Sequence, residues 1–150
     1  MLNRRTKYAL RALVRLARLA DDEWLAVSEL VRSEDMPRKY LERIMLDLNR
    51  GGLVVSRQGR AGGSRLAQPP ERITISAVLR LMDGPLALVP CVSVTAYRPC
   101  TDCGSEEECC IRPAMKKARD AVAAILDETT IANMATGYGA LRHTGAAHER

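Results

Sequence analysis

The apolar positions of this chain change period several times, and each change marks a predicted element. Over residues 4–20, Tyr8, Ala9, Ala12, Leu13, Leu16, Ala17 and Ala20 recur at helical spacing and form one stripe. Arg4, Arg11, Arg15 and Arg18 fall on another face of that helix, a row that a solvated surface would also explain. Asp21 and Asp22 interrupt the pattern, and a second short helix is predicted over Val27–Ser33. Pro37 suits the start of a third helix, where its missing N–H costs nothing. Tyr40, Leu41, Ile44, Met45 and Leu48 give that helix its buried stripe, while Arg38, Lys39 and Arg43 point elsewhere. Asn49, Gly51 and Gly52 stop it.

Beyond the stop, Leu53–Ser56 reads as a short strand, Arg57–Ser64 as a glycine-rich turn and Arg65–Ala67 as the return strand. Short helix, tight turn, basic helix and basic glycine hairpin follow in the order of a winged helix-turn-helix. The hairpin tip suits a phosphate backbone, because glycine permits close approach and arginine supplies charge. The third helix would lie in a major groove, which is wide enough to admit one. Arg38, Lys39, Tyr40 and Arg43 are the groove candidates, with Tyr40 serving either packing or contact. Arg57, Arg60 and Arg65 are the wing candidates, and Arg4 and Arg5 are candidates for phosphate contact. The competing reading is a basic three-helix domain with a hairpin that binds protein instead.

Pro69 and Pro70 mark a boundary, after which Thr74 caps a fourth helix, Ile75–Met82, ended by Asp83, Gly84 and Pro85. A long helix is predicted from Pro113 to about Ile131, with Met115, Ala118, Val122, Ile125 and Thr129 as a heptad-like seam. It has few long apolar residues of its own, so it is expected to pack on a partner subunit and on the first helix. Dimerisation fits, since two-fold proteins read two half-sites. Residues 135–150 lack periodicity and are expected to be disordered. The fold class expected is mainly α with a small β-hairpin: a winged helix-turn-helix plus a long C-terminal dimerisation helix. The organisation is 1–72 for DNA binding, 73–90 as a connecting helix and loop, 91–112 as a cysteine-rich loop and 113–134 as the dimerisation helix.

Composition sharpens this picture. The 150 residues suit one domain, or one small domain with an accessory arm. Phe is absent and aromatics are 3%, so the core must be aliphatic. No apolar run approaches the roughly 18 residues a membrane span needs, and the N-terminus lacks the apolar stretch of a secretory signal. A cytoplasmic protein without membrane contact is expected. The net charge of +5 is uneven: residues 1–72 carry 15 Lys and Arg against 9 Asp and Glu, and residues 73–150 carry 8 against 9. That excess suits an anionic partner.

All five cysteines lie between Cys91 and Cys110, which in a reducing compartment argues for metal or redox chemistry over disulfides. Thiolates select zinc or iron–sulfur iron. Cys100-x-x-Cys103 also fits thiol exchange, although the βαβ context of a thioredoxin-like site is missing. The plain alternative is five inert thiols in a packed loop. A conventional enzyme is not expected, because the two histidines, His143 and His148, sit in the tail and no phosphate loop, nucleophile elbow or paired carboxylates occur.

Over roughly residues 1–134 the order of segments resembles the IscR/NsrR/RirA family of bacterial iron–sulfur transcription regulators. The residues that carry the resemblance are Lys7-Tyr8-Ala9-Leu10, Tyr40-Leu41-Glu42, Gly51-Gly52-Leu53-Val54, the wing Arg60-Ala61-Gly62-Gly63-Ser64, and Cys109-x-Ile-Arg. The resemblance implies a homodimer on a palindromic operator in double-stranded DNA, with a [2Fe–2S] or [4Fe–4S] cluster in the loop before the dimerisation helix, within 91–112. Family members use three cysteines and a variable fourth ligand. By position Cys91 is similar to the first ligand and Cys109 to the last, with Cys100 or Cys103 between them.

The fourth-ligand positions depart from the family pattern. Arg112 stands where some members carry a histidine, and Lys7 where others place an acid. The simplest replacement is an all-cysteine site of Cys91, Cys100, Cys103 and Cys109, with Cys110 able to stand in for Cys109. Glu106, Glu107 and Glu108 are expected to be solvated. The function expected is a DNA-binding repressor whose operator affinity follows the state of the cluster. A zinc-stabilised regulator without sensing, or a thiol-redox regulator, is the alternative.

Overall fold

The computed structural model describes residues 2–137. Helix α1 spans Arg4–Leu16 and opens on Asn3, whose side-chain oxygen accepts from the Thr6 N–H at 2.9 Å. Its buried face is Thr6, Ala9, Leu10, Ala12, Leu13 and Leu16. The predicted stripe ran on to Ala20, but the helix ends at Leu16. Past that point Ala20 donates its N–H to the Glu23 carboxylate at 3.1 Å, which replaces a helical partner.

Helices α2 (Val27–Glu34) and α3 (Arg38–Arg50) pack against α1 and against each other. Asp35 links them in a left-handed conformation at φ 49°, and Pro37 precedes the first turn of α3 as the proline suggested. Leu41, Ile44, Met45 and Leu48 of α3 are buried, and Gly51 ends the helix. Strands β1 (Val54–Arg57) and β2 (Gly63–Leu66) pair antiparallel, with Val54 opposite Leu66 and Arg57 opposite Gly63. The hairpin is stapled to the body by an isolated bridge. Leu25 donates to the Ser64 carbonyl at 3.0 Å, and Ser64 donates back to Leu25 at 2.8 Å. The approach is close enough that a side-chain carbon on Gly63 would lie 2.6 Å from the Leu25 carbonyl oxygen, so no larger residue fits there.

Helix α4 (Ile75–Met82) starts at Thr74, whose hydroxyl accepts from the Ala77 N–H at 3.2 Å. A 3-10 turn at Pro90–Val92 and a long loop lead to α5 (Arg112–Glu128). The long helix was expected to reach Ile131, and it stops at Glu128. Thr129 and Thr130 leave the helix because the Ile73–Ile75 segment supplies them with sheet-like partners. Ile75 donates to the Thr129 carbonyl at 2.8 Å, and Ile131 donates to the Ile73 carbonyl at 2.9 Å. A short helix that the sequence reading missed, α6 (Ile131–Ala135), follows with a reciprocal cap between Thr130 and Asn133. Ala135, expected in the loose tail, closes it, and the rest of that tail from residue 138 lies outside the described residues.

One core results. Leu13, Leu30, Leu41, Ile44, Leu48, Ile73, Val78 and Ile131 are fully buried in a single cluster, so residues on both sides of the Pro69-Pro70 boundary share it. Each such side chain contributes about 1.5–3 kcal/mol through removal from water. Helix α5 is the exception, since none of its residues is buried.

The C-terminal end of α5 is held to α4 by Asp127, which accepts from Arg80 at 3.1 Å and from the Ser76 hydroxyl. Those two hydrogen bonds hold the Asp127 carboxyl below its usual range. The stabilisation is therefore present above the ordinary carboxylate pKa and is lost as pH falls through the lowered folded value. Asp127→Asn should lower the melting temperature near neutral pH, with the difference from the parent shrinking to nothing in acid. Thermal melts of both proteins across that pH range check it.

Candidate nucleic-acid interface and cysteine loop

The outer face of α3 carries Arg38, Lys39, Glu42, Arg43 and Leu46, all exposed. One helical turn apart, Arg38 donates to Glu42 at 2.8 Å, and Arg43 lies 3.7 Å from Asp47. Exposed pairs of this kind are worth only about 0.2–1 kcal/mol, so a stronger anionic partner can take the guanidinium groups from them. Between α3, the start of α2 and the hairpin lies a cleft of about 600 Å³. Arg38, Glu42 and Met45 line one wall, and Arg57, Gly59 and Gly62 line the other.

The remaining candidates fall into distinct environments. Tyr40 is half-buried and meets Tyr8 edge-on at 5.7 Å between ring centres, which is a packing role. Arg60 is exposed in the hairpin turn, and Arg57 and Arg65 both turn their guanidinium groups onto Trp24. Sequence reasoning passed over Trp24, although a lone tryptophan beside a basic hairpin was the available signal. Arg4 is exposed at the start of α1. Arg5 instead reaches across the bundle, donating to Asp47 at 2.6 Å and to the Met82 carbonyl at 3.3 Å. It ties α1 to α3 and to the end of α4.

The cysteines occupy the segment between α4 and α5. Cys91 is buried in the 3-10 turn, which α5 grips through Arg119 donating to the Val92 carbonyl at 2.8 Å. Cys100, Cys103 and Cys109 are half-buried, and Cys110 is exposed. Cys103 donates its S–H to the Cys109 sulfur across 3.9 Å. Cys109 sits at the start of α5, where the backbone N–H groups of Arg112 and Ile111 point at its sulfur and lower its pKa. Cys103 is pushed the other way, to about 12, by hydrogen bonding first to Cys100 and then to Cys109. The loop thus brings Cys103 against Cys109, with Cys100 beside Cys103, and Cys91 sits in the turn that precedes them.

Glu106 is half-buried, unlike the exposed Glu107 and Glu108. It accepts from the Tyr97 hydroxyl at 2.7 Å and pairs with Arg112 at 3.2 Å. The hydrogen bond and the carboxylate's charge together keep the Tyr97 phenol above its usual range.

Among the described residues no three carboxylate, imidazole or thiol groups stand close enough to share a single metal ion. A polynuclear iron–sulfur cluster makes a different demand. It spreads its thiolates over several irons and takes soft sulfur donors of the kind gathered here. The donor chemistry of Cys100, Cys103 and Cys109 fits such a cluster.

Over 137 residues the chain is 37% identical to the Rrf2-like HTH-type transcriptional regulator of Rhodobacter capsulatus, covering 89% of this chain and 91% of that protein. It is 31% identical to the HTH-type transcriptional regulator NsrR of Geobacillus kaustophilus, covering 91% and 90% respectively. The solved structure of CymR, the global cysteine regulator of B. subtilis, superposes with a TM-score of 0.75 at 26% identity, over 91% of this chain and 96% of that one. These relatives are transcription regulators and not enzymes, and no helix among the described residues is long and apolar enough to cross a membrane. Residues 2–137 match the Rrf2 family of iron-dependent transcriptional regulators, and the chain belongs to that family.

Proposed function

We propose that this protein is a homodimeric, DNA-binding repressor whose hold on a palindromic operator is governed by an iron–sulfur cluster in the 91–112 loop. Arg38, Lys39 and Arg43 enter the major groove, with Tyr40 buttressing them. Arg57, Arg60 and Arg65 meet phosphate from the wing, and Arg4 does so from the start of α1. Arg5 adds to that charge only if it leaves Asp47. Cys109, Cys103, Cys100 and Cys91 hold the cluster, [2Fe–2S] or [4Fe–4S]. When bound, it supplies iron–sulfur bonds that oxygen, nitric oxide or iron shortage can break.

The observation that carries this reading is the convergence of thiols on the N-terminus of α5. That helix has no buried residue of its own, and Val122 and Ile125 are 47% and 61% exposed. A second copy of the chain covers that strip in the proposed dimer. A change in the cysteine loop then moves the helix that sets the spacing of two α3 helices. Coupling between sites by such a route is typically worth about 1–3 kcal/mol.

A second reading is favoured by one contact. Cys109, held toward the thiolate, lies 3.9 Å from the Cys103 sulfur, so a peroxide can be reduced by this pair without any metal. The Cys109 thiolate attacks hydrogen peroxide, breaking the O–O bond to give a sulfenic acid and hydroxide, and the Cys103 thiol condenses with the sulfenic acid to a disulfide with loss of water.

Three measurements test these readings. Duplex binding should weaken steeply with salt, and Arg60→Ala should reduce the slope of log affinity against log salt by about one. Equilibrium titrations at several salt concentrations read it, and a salt-independent affinity removes the nucleic-acid reading. Protein purified without oxygen should be brown, with iron and acid-labile sulfide in near-equal amounts, and Cys109→Ser should lose both. Zinc in their place points to a zinc-stabilised regulator. On metal-free protein, peroxide should join Cys103 to Cys109, as peptide mapping by mass spectrometry would reveal; a Cys100–Cys103 link would instead favour exchange within the CxxC pair.

A further inference from the structure

Trp24, the one tryptophan of the chain, lies outside the cysteine loop and outside α3, yet it touches the hairpin in a specific way. The Arg57 guanidinium carbon stands 4.3 Å from the centre of its ring, and that of Arg65 stands 4.8 Å away. Strand register explains the meeting. Val55 pairs with Arg65, and Arg57 pairs with Gly63. Arg57 and Arg65 therefore project from the same face of the hairpin as diagonal neighbours.

Two like charges so placed repel each other, and an indole ring offers both a favourable surface. The Trp24 backbone cannot drift away from them. Leu25 is bonded both ways to Ser64, and Gly63 leaves no space between the hairpin and the Leu25 carbonyl. Arg57 is further fixed by donating to the Ala61 carbonyl at 3.0 Å, and it faces Arg38 across the cleft.

We propose that Trp24 is a positioning residue for nucleic-acid binding. It holds Arg57 and Arg65 as an ordered pair of cations, so that the wing meets a phosphate backbone already arranged. This rests on the DNA-binding reading above and adds the residue that orders its wing. Unrestrained arginine side chains lose rotamer freedom when they bind, and a wing ordered beforehand has already lost it.

The test uses the full chain and a fluorescently labelled duplex of about 30 base pairs, long enough for two half-sites one helical turn apart. Mixed sequence suffices, because phosphate contacts do not depend on bases. Trp24→Leu should weaken binding on the order of tenfold, from the ordering of two side chains. Trp24→Phe should recover most of the loss, since it keeps an aromatic face for the cations. The salt slopes of both variants should match the parent, because the same arginines reach the same phosphates.

Replacing Arg57 and Arg65 with glutamine should lower the slope, and Trp24→Leu added to that pair should weaken binding no further. Adding duplex to the parent should also shift the emission of Trp24. Equal affinity of Trp24→Leu and the parent overturns the inference, as does a loss that adds in full to that of the glutamine pair. A parent that binds no duplex overturns the DNA-binding reading and this inference together, whereas the other two outcomes overturn this inference alone.

Discussion

The complete burial of one face of α1 is the constraint on which the other elements depend. Ala9 and Ala12 have no exposed surface, and Leu13 beside Ala12 has none either. Small side chains there let the flanking helices approach closely, and Leu13 fills the space that remains. Helices α2, α3, α4 and α6 all pack on it, and β2 also reaches it. The groove-facing helix, the wing and the returning C-terminal segment are therefore referenced to one rigid rod. Interiors packed this way transmit displacement instead of absorbing it.

Helix α5 obeys a different rule. It is pinned near its middle by Arg119 on the Val92 carbonyl and near its end by Asp127 on Arg80 and Ser76, and none of its residues is buried. A helix held by a few polar contacts and partial packing, with Val122 and Ile125 exposed, can shift as a unit when one of those contacts changes. At its N-terminus Cys109 faces the backbone N–H groups of Arg112 and Ile111, so the end most open to chemical change is the cysteine end. The far end returns the chain to the core through Ile131, which is fully buried beside α1.

Much of the fold was legible because its signals are local. The stripes of α1 and α3, the cap at Thr74, the glycine stop after α3 and the hairpin all follow from periodicity or turn chemistry within a few residues. What escaped is set by partners distant in the chain. The end of α5 depends on Thr129 accepting from Ile75 and Ile131 donating to Ile73, more than fifty positions away, and the residues themselves read as a plausible last turn. The cysteine loop was legible as a cluster of sulfur ligands and opaque as a geometry. Spacing favoured Cys100 with Cys103, whereas the N-terminus of α5 recruits Cys109 to the pair. Glu106 looked like one of three equivalent acids until Tyr97 and Arg112 took it.

The basic half shows the same limit for electrostatics. A count of charges treats the arginines between Arg4 and Arg18 as one group, and the structure divides them by what they touch. Arg5 neutralises Asp47, Arg11 pairs with Glu34 at 2.9 Å, and Arg18 caps α6 through the Ala135 carbonyl at 3.2 Å. These groups hold elements together and contribute little field at a distance, since a close opposite charge cancels theirs. Arg4, Lys39 and Arg60 are exposed and form no ion pair among the described residues, so their charge extends into solvent around α3, the wing and the start of α1. Arg57 and Arg65 belong to neither group. An aromatic face restrains a cation without neutralising it, so the wing keeps its full charge and gains a fixed direction.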